Sequence, residues 1–395
     1  MQEFIDRLIA SGWFAGVPAE LVYAVMMFLF GAIVVFGFVM PMVPITVWLE
    51  RRVWSRIQSR IGPNRVGPQG VLQGIADGVK NILKEDIIPD AADRPLFAFA
   101  PYLLVWGFIA TFVVIPFSSA LIIADLNVGI LYLVAVTALT VVGILMAGWA
   151  SNNKWSLIGG IRSAAQIISY EIPAGLAILS PILLAGTLSM QGIIQAQGWA
   201  PWDWFAFHNP FTFVALVVLY VALLAEANRT PFDLPEAESE LVAGFATEYS
   251  GMRFALFFLA EWGTLYVIGA VITTLFLGGW QVPIWTNNVV LLNLSQFAVF
   301  FLKSYFWAFV AMWIRATLPR IRVDQLMSLC WKYLVPVGFI NLIGTAVWMI
   351  IWPQGNRLVQ YSMVLFAVIM LVQFFRRVRF HLRRARPELY YSPAI

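Results

Sequence analysis

Residues 128–149 read VGILYLVAVTALTVVGILMAGW, twenty-two positions without one charged side chain. As a helix this stretch is about 33 Å long, close to the roughly 30 Å hydrocarbon layer of a bilayer. A buried helix of a soluble domain needs no such length, so the segment predicts a membrane span. Eight further stretches share its character, at roughly 21–48, 97–123, 163–188, 210–227, 254–278, 289–313, 334–352 and 359–375. The fold class is therefore all-α, a polytopic transmembrane helix bundle of about nine spans. The whole 395-residue chain agrees: 61% is hydrophobic and 12% is charged, and its mean hydropathy is +0.81. Soluble domains carry about 25% charged residues, and a soluble chain this long has no way to cover its surface with so few. Disordered, collagenous and coiled-coil classes fall with the same numbers.

Cysteine and histidine narrow the chemistry. Cys330 is the only thiol, and His208 and His381 lie far apart. That excludes an internal disulfide and a cluster ligated by this chain's cysteines, and no metal site is expected. Any redox chemistry must use electron carriers held by other subunits. Residues 1–20 carry Glu3, Asp6 and Arg7 and lack a signal-peptide pattern; they are expected to form a short interfacial helix. Pro41 and Pro44 are expected to bend the first span, since proline removes an internal hydrogen bond.

Basic residues separate the loops into two sets. Segments 49–96, 150–162, 228–253, 314–333 and 376–395 hold 8, 2, 2, 4 and 6 lysines and arginines, 22 of the 25 in the chain. The positive-inside rule places these segments inside, with the N-terminus outside and the C-terminus inside. The tail arginines Arg376, Arg377, Arg379, Arg383, Arg384 and Arg386 are expected to hold the last helix to anionic lipid. The first basic segment opens on Glu50-Arg51-Arg52, passes through Gly62-Pro63-Asn64-Arg65-Val66-Gly67-Pro68, which is no helix, and then repeats apolar residues at helical spacing over 69–85. Asp77, Lys80 and Lys84 fall on its other face. Such a helix lies at the membrane surface, with its polar face solvated by headgroups or beside a mouth through which a lipophilic ligand leaves the bilayer.

Acids inside spans are the stronger signal. Glu171 sits within the fourth span, in Ser169-Tyr170-Glu171-Ile172-Pro173; Glu226 ends the fifth, and Glu261 lies within the sixth. An ionisable group at such depth costs roughly 2.5–3.5 kcal/mol on insertion scales, and carboxyl groups out of water exchange protons nearer neutral pH. Each alone is a candidate structural ion-pair member; several together point to a proton or cation path. Pro173 frees a backbone carbonyl nearby. The densest run follows the fifth span: Glu226, Asp233, Glu236, Glu238 and Glu240 fall within fifteen residues, with Glu248 just beyond. Phe232, Leu234, Leu241, Val242 and Phe245 interleave with them, and Pro231 and Pro235 set an irregular turn. This reads as an ordered loop rather than a solvated charge run. The last basic loop, with Arg315, Arg320, Arg322 and Asp324, suits lipid phosphate or the acids opposite. On residues alone two classes fit, a proton- or cation-coupled transporter and a membrane subunit that couples redox chemistry to protons.

The ordered motifs carry a resemblance. Glu50-Arg51-Arg52, Gly62-Pro63-Asn64 with Gly67-Pro68, Ala76-Asp77-Gly78-Val79-Lys80, Gly148-Trp149-Ala150-Ser151-Asn152, Ala165-Gln166-Ile167-Ile168-Ser169-Tyr170-Glu171, Asn228-Arg229-Thr230-Pro231-Phe232-Asp233-Leu234, Glu236-Ala237-Glu238-Ser239-Glu240-Leu241-Val242, Thr247-Glu248-Tyr249 and Asp324-Gln325-Leu326-Met327 stand in this order over about residues 20–350. They resemble the membrane subunit known as the H subunit, or chain 1, of the proton-pumping NADH:quinone oxidoreductase, respiratory complex I. The resemblance implies a subunit at the junction of the membrane and peripheral arms, in a bacterial plasma membrane, with quinone as substrate and with flavin and iron–sulfur clusters in partner subunits. It implies that Arg51, Asp77, Arg315 and Arg320 lie near the quinone chamber. It implies that Glu171, Glu226, Asp233, Glu236, Glu238, Glu240, Glu248 and Glu261 lead protons or charge away from it. Relatives of this family mostly end after eight spans, near Trp352. The chain is accordingly divided into a core, 1–352, and an added ninth span with a basic tail, 353–395. A membrane-bound hydrogenase subunit is a more distant likeness. A stand-alone secondary transporter predicts internal repeats that are not seen, and a scaffold leaves the membrane acids without a role.

Overall fold

The computed structural model describes residues 18–234, 238–286, 288–353 and 355–384. Uninterrupted apolar sequence leaves the backbone no partners but its own, and helix is the outcome. Ten helices carry the fold: α1 (Ala19–Ile57), α2 (Gln73–Leu83), α3 (Arg94–Thr111), α4 (Gly129–Ala150), α5 (Lys154–Ala185), α6 (Pro210–Glu226), α7 (Gly251–Phe276), α8 (Val289–Thr317), α9 (Val323–Ile351) and α10 (Arg357–Arg384). No strand occurs among the described residues. Eight of the helices are long and apolar enough to cross a membrane, and α6 is apolar but only 17 residues long. At about 1.5 Å per residue it falls short of the hydrocarbon thickness. The nine expected spans each coincide with one of these helices. The expected interfacial segment 1–20 lies almost wholly outside the described residues.

Several boundaries differ from expectation, α9 for example starting at Val323 and α1 running on to Ile57, and three of the differences have a clear physical reason. The second span stops at Thr111, although apolar sequence continues to 123. The chain beyond it is irregular yet buried: Phe112 and Ile115 are fully covered. Pro116 interrupts any helix, and Ser118 supplies alternative partners. Its Oγ accepts from the backbone N–H of Leu121 at 3.0 Å and donates to Asn293 at 2.9 Å. The fourth span begins nine residues early, at Lys154, because Asn153 caps it by accepting from the Trp155 N–H. Charged residues end the apolar layer without ending the helix. In α1, Pro41 has no N–H to give; the preceding turn widens instead, and the Met40 N–H bonds to Val35 five residues back. The surface helix is shorter than expected and opens with a turn at Pro68–Gly70. None of its residues is buried, and Ile75, Val79 and Ile82 are more than half exposed, as suits an apolar face laid on lipid.

Two helices form the heart of the bundle. Helix α5 packs against α4, α6 and α9, and α7 packs against α3, α8 and α1. Lipid offers no hydrophobic drive between helices, so close backbone approach matters. At Gly269 of α7 a Cβ atom would lie 2.1 Å from the Ser304 carbonyl of α8, so no other residue fits there. Helix α10 touches the body chiefly at the 201–208 segment, where Trp202 meets Tyr361 at 5.9 Å.

The loops sort to two ends. Asn152 bonds to Ala91, Asn153 to Glu248, and the Ile321 N–H to Pro231. These contacts put the first four basic segments on one end of the bundle. At the other end the Ile130 N–H bonds to Leu188, and Gln281 bonds to Ile194.

Candidate functional site

The acidic loop is ordered by α5. Gln166, 2% exposed, donates through Nε2 to the carbonyls of Ala225 and Phe232, both at 2.8 Å, and to Asn228 Oδ1 at 3.2 Å. Asn228 takes a left-handed conformation (φ 49°) and donates to Ser163 at 2.9 Å. Farther along, Ser156 donates to the Phe245 carbonyl at 3.0 Å. Gly159 admits the Gly244 backbone, which would stand 2.7 Å from a Cβ atom. Phe232, Leu234, Leu241 and Phe245 are buried as the interleaved pattern implies; Val242 departs from it at 64% exposed. Val242 adopts φ 64° at the end of a short turn, which sends its side chain outward.

Behind this loop lies a cavity of about 120 Å³, room for several water molecules. Its walls come from α3 to α7 and are mostly apolar. Glu171 of α5, Glu226 at the end of α6 and Glu261 of α7 all line it, with Thr137, Thr140 and Thr264. Glu171 and Glu226 are both partly exposed. Proline shapes the wall beside Glu171. Pro173 frees the carbonyl four residues back, that of Ser169, and the Cys330 thiol of α9 takes it at 3.0 Å. The neighbouring Tyr170 hydroxyl donates to the Leu326 carbonyl at 2.9 Å. Helix α9 is thus tied to the turn that carries Glu171.

Glu261 joins the cavity to a buried ion network. Its carboxylate lies 3.2 Å from Nε of Arg229, whose other side reaches Glu50 at 3.5 Å. Glu50 also pairs with Arg315. Glu50 and Arg229 are 2% and 3% exposed, Glu261 and Arg315 19% and 23%. The Arg229 guanidinium stacks 4.2 Å from the Trp262 ring centre, and Arg315 lies near both Trp262 and Trp54. Two carboxylates and two guanidiniums balance, which is the condition for holding charges out of water. One step outward, Asp233 pairs with Arg320 at 3.1 Å, and its other oxygen is buried without a hydrogen bond. Burial pushes the Asp233 carboxyl above the usual aspartate range, more than the nearby Arg320 pulls it down.

The remaining expected residues stand apart. Arg51 and Asp77 pair with each other at 2.6 Å between α1 and α2, half exposed. Glu240 pairs with Arg162 at 2.7 Å on the rim, and Glu248 accepts from Asn153 at 2.6 Å. Glu236 lies outside the described residues, as does the side chain of Glu238. Sequence reasoning misses three members of the site: Glu50, Arg229 and Trp262. Glu50 carries a signal. It is the only acid between Glu20 and Asp77 and ends a long apolar run. Arg229 reads along the chain only as a basic loop residue, and nothing in its neighbourhood announces burial. Among the described residues no group of three or more His, Cys, Asp or Glu is arranged to hold a metal.

Comparison with known proteins bears on this arrangement. The family model described as NADH dehydrogenase matches residues 30–346. A relative from Anaeromyxobacter dehalogenans (strain 2CP-C), named as the H subunit of NADH-quinone oxidoreductase, is 55% identical over 352 residues, covering 85% of each chain. An H subunit from Dehalococcoides mccartyi (strain CBDB1) is 46% identical, over 87% of this chain and 93% of its own. NADH-quinone oxidoreductase subunit 8 of Rhodothermus marinus is 48% identical, over 76% and 90%.

Proposed function

The chain belongs to the H-subunit family of NADH:quinone oxidoreductase, respiratory complex I, and from that premise we propose that it helps to form the quinone-reduction chamber and carries charge from it into the membrane. The observation that carries this reading is the continuity of the ionisable groups. Arg320–Asp233 and Arg315–Glu50–Arg229–Glu261 lead from the loop end of the bundle to the cavity lined by Glu171 and Glu226.

In this reading partner subunits of the complex supply flavin and iron–sulfur clusters, and two electrons with two protons convert quinone to quinol. The lipophilic quinone leaves the bilayer beside α2, whose exposed apolar face lies next to the Arg51–Asp77 pair. Removing protons from the chamber changes the charge facing Asp233 and the arginines. A guanidinium shared between two carboxylates responds as a unit: when charge near Arg315 changes, the balance between Glu50 and Glu261 around Arg229 changes with it. Glu261 then passes the change to Glu226 and Glu171 through the cavity, and protons move. Buried carboxyl groups suit this task because their proton affinity follows nearby charge closely. Glu236, Glu238, Glu240 and Glu248 belong to the loop that feeds the route. The basic end of the bundle faces the bacterial cytoplasm and the peripheral arm. Helix α10 adds to this core without entering the route.

The test uses the assembled complex in proteoliposomes. NADH-driven quinone reduction sensitive to a quinone-site inhibitor is expected of the wild type. Glu226→Gln and Glu261→Gln are each expected to lower proton translocation about tenfold, the effect of roughly 1.4 kcal/mol on a barrier. Wild-type reduction and pumping in both variants overturns the route. Hydrogen evolution in place of quinone reduction moves the chain to the hydrogenase branch.

A further inference from the structure

The far end of α7, away from the acidic loop, ends in a knot of polar side chains that the route above does not use. A helix C-terminus leaves its last carbonyl oxygens without partners, and in apolar surroundings each needs a donor. Gln197, 3% exposed, donates through Nε2 to the carbonyls of Thr274 at 3.0 Å and Leu275 at 3.4 Å. Its Oε1 accepts from the Gly278 N–H at 2.8 Å. Lys303 reaches across from α8 and donates to the carbonyls of Leu277 at 2.8 Å and Gly279 at 3.2 Å. Its ammonium also stands 4.5 Å from the ring centre of Trp204. The two side chains between them meet four carbonyls at the end of the helix.

This knot lies beyond the last residues that line the cavity, toward the far end of α7. Val271 is the last α7 residue to line it, and Thr274 follows about one turn, some 5 Å, later. Ile272 and Thr273, both fully covered, lie between, and Leu275 and Phe276, at most 1% exposed, follow. A lysine is a costly choice for capping carbonyls within a span; an amide serves the same bonds, as Gln197 demonstrates. What the ammonium adds is positive charge. A fixed cation in a narrow passage is a barrier to protons and other cations.

We propose that Lys303, supported by Gln197 and Trp204, is the seal that keeps protons in the cavity from crossing this chain to the far face of the membrane. The inference rests on the proton route proposed above. Lys303 is a positioning residue for the coupling step and touches no substrate. Removing it strips two carbonyls of their donor. Water enters to replace the lost bonds, and the charge that repels protons goes with it.

The experiment measures passive proton leak, with no NADH, under an imposed pH gradient across proteoliposomes holding the assembled complex. Lys303→Met is expected to leak severalfold faster than wild type and to pump fewer protons per quinone reduced, with the uncoupled reduction rate unchanged. Lys303→Arg, which keeps the charge, is expected to restore the seal. Lys303→Gln, which keeps donors and loses charge, should leak between the two. Adding Glu226→Gln to Lys303→Met should suppress the leak, because the path runs through the cavity. Wild-type leak and coupling in assembled Lys303→Met overturns the seal, as does a leak that Glu226→Gln leaves untouched. If Lys303→Met fails to assemble, Trp204→Leu removes only the ring face, and a wild-type leak there overturns it equally. Pumping that survives in Glu226→Gln alone counts against the route itself, so the two failures are distinct.

Discussion

The two ends of α7 meet the same problem, polar groups in apolar surroundings, with different chemistry. At the loop end Glu261 shares Arg229 with Glu50, and Trp262 packs on the guanidinium. At the far end Gln197 and Lys303 hold backbone carbonyls. A carboxylate takes up or loses a proton as its surroundings change; a carbonyl does not. On the reading proposed above, the first cluster responds to charge and the second stays as it is.

The comparison breaks most visibly at Arg229. Arg229→Leu removes the cation shared by two buried acids, and breaking a buried pair costs about 3–5 kcal/mol. The assembled complex should be largely lost, as blue-native gels would display; normal assembly and stability would make the network incidental. Gln166→Leu comes next. It removes three bonds that hold the loop to α5 and leaves two buried carbonyls short of a donor, at about 1–3 kcal/mol. Faster amide exchange confined to residues 225–250 is the expected result, and unchanged exchange would place the order of the loop elsewhere.

Asp233→Asn sharpens the responsive side through pH. The folded chain holds the Asp233 proton more tightly than the unfolded chain does. Its contribution favours the fold below the ordinary aspartate range and is lost as pH rises through the raised folded value. The variant should flatten that part of the stability profile in thermal melts across acid pH; an unaltered profile would assign it to other groups. The smallest effect belongs to Arg51→Gln. The half-exposed Arg51–Asp77 pair is worth at most about 1 kcal/mol and weakens with salt. The variant's stability should match wild type while its KM for quinone rises. A normal KM would remove the pair from quinone access.

Much of this is legible along the chain. Spans announce themselves because a bilayer demands unbroken apolar sequence, and 128–149 meets that demand with no charge at all. Hydropathy reports burial and not conformation, so it runs on past Thr111, where Ser118 and Pro116 turn a buried segment out of helix. It also starts α5 nine residues late, because a capping asparagine carries no hydropathy signal. Glu171, Glu226 and Glu261 are conspicuous as acids within spans. That they share one cavity is not, since α5, α6 and α7 meet only through packing. Glu50 and Arg229 are 179 positions apart, a separation at which no local pattern speaks.

By itself the sequence determined the class of molecule, the places of its apolar helices, the two sets of loops and the family, because each is written in local composition or in ordered motifs. Tertiary structure alone decided which charges neutralise one another. A carboxylate in apolar surroundings is tolerable only with a cation within a few ångströms. For Glu50 and Glu261 that cation comes from helices and loops far along the chain, and folding brings it there.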